Sequence, residues 1–448
     1  MPSKELKNVK LNVVELFAGV GGFRLGLEAV HGSPFSVTLS NQYEPARKVQ
    51  HASTVYKSHW RDGVHLNEDI AIVLKSGDFQ RAIRVAAPDV VVGGFPCQDY
   101  SVAKPLSHSK GIEGKKGVLW WSISGLLKQR IDDGEPVKYL VLENVDRLLS
   151  SPASCRGRDF SVVLATLYGL GYAVEWRIVN AAEYGFPQNR RRIFIVAYHK
   201  STGAYRRMKE ELTTDAGWHT QAVLTKAFPS TLVAPLDAVN PSLTIRNEPL
   251  LQQFVYTPLS NGKSRFANAG FMVEGRVWSC RVTTDLPAGY AEFTGSSTAR
   301  TLGDVISKTS LVPSSFYVQE EAEERWRLAK AAKSIPREKN GFSYTYSEGT
   351  MPYPDRLDRP ARTIITSEGG PTATRSKHLV REASGLLRRL LPEELEELNG
   401  FPRGFTDHAE ISDITRAMLM GNALVVGLVT RIGSALMQTI APDYHPLE

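Results

Sequence analysis

Cys97 is the residue with the most chemistry to offer. It sits in Gly93-Gly94-Phe95-Pro96-Cys97-Gln98, directly after the apolar run 89–92. A thiolate at the carboxyl end of a buried parallel strand lies where such sheets bind ligands. It attacks electrophilic carbon once nearby positive charge or a helix end lowers its pKa. A lone cysteine is more often a buried structural thiol, but two glycines and Phe-Pro set this one in a turn. Glu143-Asn144-Val145 follows a second apolar run, 139–142, and brings a carboxyl group that can bond to, or protonate, a ring nitrogen. Taken alone, the pair could equally cap a helix. Gln188-Asn189-Arg190-Arg191-Arg192 precedes the run 193–197. On a strand, Arg190 and Arg192 would point the same way and could bind phosphate or a carbonyl oxygen; a solvated edge is the alternative.

A second group of residues suits a nucleoside. Phe17, Gly19, Gly21 and Gly22 fall between the first apolar run, 11–17, and a helical stretch, 22–30. Glycines there let the backbone turn sharply and approach a ligand, though a bare strand–helix turn needs no ligand. Arg24 stands where a dinucleotide fingerprint wants its third glycine, which disfavours a nicotinamide cofactor. At the end of the next run come Gln42, placed to reach a ribose, and Tyr43, whose ring could face an adenine or simply pack in a loop. Asp69 could accept from an adenine amine or cap a helix. Between Cys97 and Gly117 lies a polar stretch with Lys104, Lys110, Lys115 and Lys116, suited to a lid over a phosphate-bearing substrate or to a plain solvated loop.

The elements that must hold these residues follow from the pattern. Runs at 11–17, 36–40, 89–92, 139–142, 172–178 and 193–197 alternate with helical stretches such as 22–30, 45–56 and 160–170, as in a parallel sheet covered by helices. The runs at 90–92 and 139–142 are apolar on both faces, which suits burial between two helix layers. Residues 201–358 lose this rhythm and read as a separate loop-rich domain with one clear helix, 320–333; an apolar helix runs from 423 to about 440. The chain's 448 residues, 42% hydrophobic and 23% charged, are ordinary for a globular protein, and no secretory signal or membrane span is expected, so the cytoplasm is the expected location. Three scattered cysteines, Cys97, Cys155 and Cys280, exclude a disulfide framework and a structural zinc site; no metal is expected. A net charge of +7 tilts the chain towards a polyanion without proving one.

Taken in order, these segments resemble the cytosine-C5 DNA methyltransferase family, of the bacterial modification methylase type. Phe-Pro-Cys-Gln, Glu-Asn-Val, Gln-x-Arg-x-Arg, the segment 359–366 from Arg359 to Thr366, Gly400-Phe401-Pro402 and Gly421-Asn422-Ala423 follow the glycine loop in the family's order. The resemblance implies an α/β, Rossmann-like S-adenosylmethionine-dependent methyltransferase fold with a smaller, loop-rich target-recognition domain. Residues 1–200 would form the first part of the catalytic and cofactor-binding domain and 201–358 the target-recognition domain. Residues 359–410 would complete the small domain, and 411–448 would return as a helix to the catalytic domain. Cys97 would attack carbon 6 of a flipped-out cytosine, Glu143 would engage ring nitrogen 3 and the exocyclic amine, Arg192 would hold the carbonyl oxygen, and Arg190 would support the cysteine turn.

The methyl donor implied is S-adenosyl-L-methionine. Contacts to it are expected from Phe17, Gly19, Gly21, Gly22, Gln42, Tyr43, Asp69, Ile70, Pro96, Leu119, Asn422 and Ala423. Double-stranded DNA would be met by Gln98, Ser101, Lys104, Lys110 and Arg362. Relatives commonly carry glutamate at the position of Gln42, so the bond to the ribose should be weaker here. A monomer linked to a restriction or other anti-phage system is the expected setting. Two alternatives remain at this point. A transfer-RNA methyltransferase is disfavoured because Asp146-Arg147-Leu148-Leu149 replaces the Cys-Phe-Thr segment of those relatives. A catalytically silent DNA-binding homologue is disfavoured by the intact Cys97, Glu143, Arg190 and Arg192.

Overall fold

The computed structural model describes residues 9–95, 118–213, 221–234, 241–245, 256–284, 300–339 and 342–444. By contacts the chain forms two compact units: residues 1–180, 191–290 and 426–448 make one, and 181–190 and 291–425 the other.

The first unit is built on β1 (Leu11–Leu16), β2 (Phe35–Asn41), β3 (Val64–Leu66), β4 (Val90–Gly94), β5 (Tyr139–Asn144), β6 (Tyr172–Asn180) and β7 (Arg191–His199). They lie in the order β3-β2-β1-β4-β5-β7-β6, extended beyond β6 by Ala269–Val273, Arg276–Cys280 and Leu243–Thr244. β1 to β5 are parallel, whereas β7 runs antiparallel between β5 and β6. The order reverses between β1 and β4, and a doubly wound sheet opens a ligand crevice at the carboxyl ends of the strands at that switch point. Central strands are apolar on both faces because helices cover both: Val90, Val91 and Val92, and Leu140, Val141 and Leu142, are at most 1% exposed. Gly93 is required where β4 meets β1, since a Cβ there would lie 2.6 Å from the Leu16 carbonyl oxygen.

Helix α1 (Gly22–Glu28) opens on the glycine loop, and the closing helix Val426–Tyr444 packs along it: a Cβ on Gly26 would meet Val429 at 2.7 Å. The helical run Asp413–Tyr444 is long and apolar enough by composition to cross a membrane, but 72% of its most apolar window is buried inside the protein, as in a core helix.

Two expectations about local structure are corrected. The stretch 45–56 is not one helix; helix His51–His59 starts later. Gln50 closes the preceding loop, accepting from Glu44 N and donating to the carbonyls of Glu44 and Arg47. The described residues between 201 and 284 do not pack apart from the sheet. Helix Gly203–Thr213 and the hairpin 269–280 belong to the first unit, and buried Glu175 receives the Val223 and Leu224 amides at 3.0 and 3.1 Å. Burial pushes the Glu175 carboxyl up to about 7.

The second unit holds helices Leu302–Ile306, Glu320–Lys330, Pro392–Leu398 and Asp413–Asn422 and an antiparallel ribbon, Lys333–Lys339 with Phe342–Glu348. Buried ion pairs knit it. Arg388 bonds to both oxygens of Glu394 at 2.8 Å, and Arg416 meets Glu396 at 3.0 Å. Removing one partner of such a buried pair would strand the other's charge, which is strongly destabilising.

Candidate active site

Four strand ends meet at the switch point. After β1 the chain turns through Phe17, at φ 56°, then Gly19 and Gly21, at φ 57° and 91°. A left-handed phenylalanine is uncommon, and such strain collects at ligand sites. Gln42, buried at the end of β2, accepts the Gly19 amide with Oε1 at 2.8 Å and so ties the glycine loop to the neighbouring strand. A Cβ on Gly19 would meet nothing within 4 Å, leaving that face of the loop open, and Tyr43 beside it is 37% exposed. This is the shape a nucleoside needs: bare backbone, an aromatic face and a polar side chain.

Beneath the loop lies a packed polar base. Arg24 donates to Glu28 at 2.6 Å and to both oxygens of Asp62 at 2.6 Å, and lies 5.0 Å over the Trp60 ring. The residue that breaks the dinucleotide fingerprint therefore props the loop from below. Glu15 of β1 is fully buried and accepts from Tyr56 Oη at 3.0 Å and from the Arg24 amide at 3.3 Å. Burial pushes its carboxyl up to about 8. His65, between the hydroxyls of Ser40 and Ser53 at 2.8 Å each, is driven down to about 4 by burial and by Lys57 and Arg24.

Asp69 caps the short helix Ile70–Val73, accepting from the Ala71 amide at 2.9 Å. A carboxylate has further acceptor sites, so the cap leaves capacity for a ligand. Ile70 is buried, and Leu119 is half-buried near the start of helix Val118–Asp132.

At the ends of β4 and β5, Arg192 Nε donates to Glu143 Oε1 at 2.8 Å. Glu143 Oε2 lies 3.2 Å from where a Cβ on Gly94 would stand, so the absence of that side chain brings the carboxylate against the turn leading to Cys97. Asn144, 1% exposed, donates to the Phe95 carbonyl at 3.2 Å and accepts from the Val145 amide at 2.8 Å. Asn144 thus anchors the chain at Phe95, two residues before Cys97, rather than capping a helix. Pro96, Cys97, Gln98, Ser101, Lys104 and Lys110 lie outside the described residues.

Other expected site residues belong to the second unit. Arg190 precedes β7 and does not share its alternation with Arg192. It is 1% exposed and donates to the carbonyls of Ile364 at 2.9 Å and Gly421 at 3.0 Å. Gln188, fully buried, donates to Leu398 O and Asn399 Oδ1 and accepts from the Ile364 amide. Asn422 is exposed at the end of helix Asp413–Asn422, with Ala423 as its C-cap. Arg362 is held within this unit. Its guanidinium bonds to both oxygens of Asp355 and to the carbonyls of Ser376 and Lys377, so four of its five N–H donors hold this unit together. Of the two described cysteines, Cys280 is buried and its thiol is pushed up to about 11, the opposite of an activated nucleophile, while half-buried Cys155 donates to the Tyr256 carbonyl. Among the described residues no group of acidic, histidine and cysteine side chains could hold a metal.

A sheet with an antiparallel strand beside β5, a glycine loop at the switch point and a carboxylate–arginine pair one strand away define a Rossmann-like methyltransferase. The chain belongs to the C-5 cytosine-specific DNA methylase family, whose profile matches residues 11–438. It is 42% identical over 428 residues to the Type II methyltransferase M.Sau3AI of Staphylococcus aureus, covering 95% of each chain. It is 31% identical over 201 residues to the Type II methyltransferase M.SsoII of Shigella sonnei, covering 44% of this chain and 45% of that one. Among solved structures, the S. pombe Dnmt2 methyltransferase shares the fold with a TM-score of 0.57 at 13% identity, over 96% of this chain and 99% of that one. A putative DNA modification methyltransferase from an E. coli prophage does so at 0.51 and 17%, over 96% and 100%. Members of the family use S-adenosylmethionine.

Proposed function

We propose that this chain transfers a methyl group from S-adenosylmethionine to carbon 5 of cytosine in a short sequence of duplex DNA, through a covalent adduct between Cys97 and carbon 6. The Glu143–Arg192 pair carries the reading. It stands against Gly94, three residues before Cys97, at the strand ends where the glycine loop also opens.

Cytosine carbon 5 is not nucleophilic by itself. Addition of the Cys97 thiolate to carbon 6 breaks the 5,6 double bond and moves its electron pair towards carbon 5. Glu143 supports this step by giving a proton to ring nitrogen 3 and accepting from the exocyclic amine, so that negative charge does not build up on the ring; the proton returns when the sulfur leaves. Arg192 holds Glu143 in place and brings positive charge to the same spot, where a carbonyl oxygen gains charge. Asn144 steadies the Phe95 carbonyl, and with it the turn that presents the nucleophile. The donor, when bound, supplies an electrophilic methyl group; Phe17, Tyr43, Gln42 and Asp69 are the residues that would hold it. Loss of the carbon-5 proton then lets the Cys97 sulfur leave, restoring both the double bond and the enzyme. A stacked base exposes neither face of its ring, so the cytosine must leave the helix for these steps.

Type II relatives make protection of host DNA beside a restriction enzyme the natural setting. The test is nucleoside mass spectrometry of duplex DNA and of transfer RNA after incubation with the purified protein and donor. We expect 5-methyldeoxycytidine from DNA only. Methylation of the exocyclic amine, or of RNA alone, contradicts the proposal.

A further inference from the structure

The antiparallel ribbon of the second unit, Lys333–Lys339 with Phe342–Glu348, bonds to no other strand among the described residues. Lys333 lies opposite Glu348, Ile335 opposite Tyr346 and Ser334 opposite Ser347. Opposite residues share a face and neighbours alternate. One face therefore carries Lys333, Ile335, Arg337, Tyr346 and Glu348. The other carries only small or polar groups and Pro336, with Glu338 its one acid among the described side chains. Residues 333–338, Ser343, Thr345 and Ser347 are exposed, so both faces stand in solvent.

An isolated two-stranded ribbon is marginally stable in water, yet this one is clamped at its root. Arg375 donates to the carbonyls of Ala331, at 2.8 Å, and Gly349, and pairs with Glu348 at 3.2 Å. One guanidinium thus holds both strand ends and neutralises the acid of the first face. Further out, the Arg337 guanidinium lies 4.1 Å over the Tyr346 ring, and the Tyr346 hydroxyl is itself fixed on Glu348 at 2.7 Å. The ring thus restrains the arginine's long stem.

We propose that this ribbon reads the target sequence, entering the major groove of duplex DNA with the Arg337 face towards the base edges. The inference rests on the DNA methyltransferase reading above. Strands about 4.8 Å apart fit a groove about 12 Å wide, which admits a two-stranded ribbon. The charge fits as well. Lys333 and Arg337 stand on one face, Glu348 there is matched by Arg375, and Glu338 faces away. A planar guanidinium is the group that bonds bidentately to guanine O6 and N7.

The test begins by mapping the sites methylated by the wild-type protein. Methyl transfer is then followed on the cognate duplex and on duplexes carrying each single base change, for wild type, Arg337→Ala, Arg337→Lys and, on the opposite face, Ser343→Ala. Binding of S-adenosylhomocysteine reports that each variant is folded. The expected result is that both Arg337 variants lose about tenfold or more in kcat/KM discrimination at one position of the site, as for one lost bidentate contact. Arg337→Lys should retain more affinity for DNA than Arg337→Ala, and Ser343→Ala should discriminate as the wild type does. Unchanged discrimination at every position in both Arg337 variants overturns the proposal, and so does an equal loss in Ser343→Ala. A wild-type protein that methylates no duplex removes the underlying function instead, a separate outcome.

Discussion

Arg192 Nε donates to Glu143 Oε1 at 2.8 Å across two antiparallel strands, β7 and β5. Glu143 stands opposite Phe194 in the register, so Arg192, two residues away, shares its face and reaches it diagonally. Only the antiparallel insertion of β7 brings the amino end of that strand to the carboxyl end of β5. The oddity of the topology therefore makes the pair.

Removing either partner should slow methyl transfer by about a hundredfold or more, the scale of a lost charge-stabilising group. Because each holds the other, Glu143→Gln with Arg192→Ala should be little slower than the worse single variant. Single-turnover rates at saturating DNA check this. Losses that multiply would mean that the two act independently.

Gln42→Glu should tighten S-adenosylhomocysteine binding several-fold, measured by calorimetry. The carboxylate keeps the acceptor for the Gly19 amide and turns a neutral bond to the ribose into a charge-assisted one, roughly twice as strong. Gln42→Leu should weaken binding, because it frees the glycine loop from β2. No gain with glutamate would remove Gln42 from the ribose.

Arg190→Ala should act on stability. It strands the buried Ile364 carbonyl and frees the half-buried Gly421 carbonyl, a loss of about 1–3 kcal/mol. Thermal unfolding should show a lower midpoint for the variant. An unchanged midpoint would mean that the arginine does not stitch this unit.

Glu15 gives a pH dependence. Its folded-state pKa of about 8 lies above the ordinary 4.5 because burial favours the neutral form. The neutral carboxyl contributes fully to stability below about 4.5, and the contribution fades as pH rises through 8. Denaturant unfolding should therefore show stability falling between about pH 4.5 and 8, more steeply in the wild type than in Glu15→Gln. Equal slopes would show that Glu15 is not buried neutral.

The sheet was legible because parallel strands covered on both faces must be apolar throughout, as 90–92 and 139–142 are, and because ligand loops at their ends need glycine. The hairpin 269–280 was not. Gly270 there is demanded by Trp176, whose ring would lie 2.2 Å from a Cβ, a contact between residues 94 positions apart. Strand alternation between Arg190 and Arg192 does not apply, because the strand begins at Arg191 and Arg190 precedes it. Arg362 carries the right charge for DNA, but only folding reveals Asp355 as its partner.

The central claim is that Cys97 is the nucleophile of a cytosine-C5 DNA methyltransferase. Bisulfite sequencing of plasmid DNA from cells expressing the protein or its Cys97→Ala variant tests it most directly. The account predicts protected cytosines within one short sequence for the wild type and none for the variant, which should still bind DNA. Protection that persists without Cys97, or no protected cytosine in either, would contradict it.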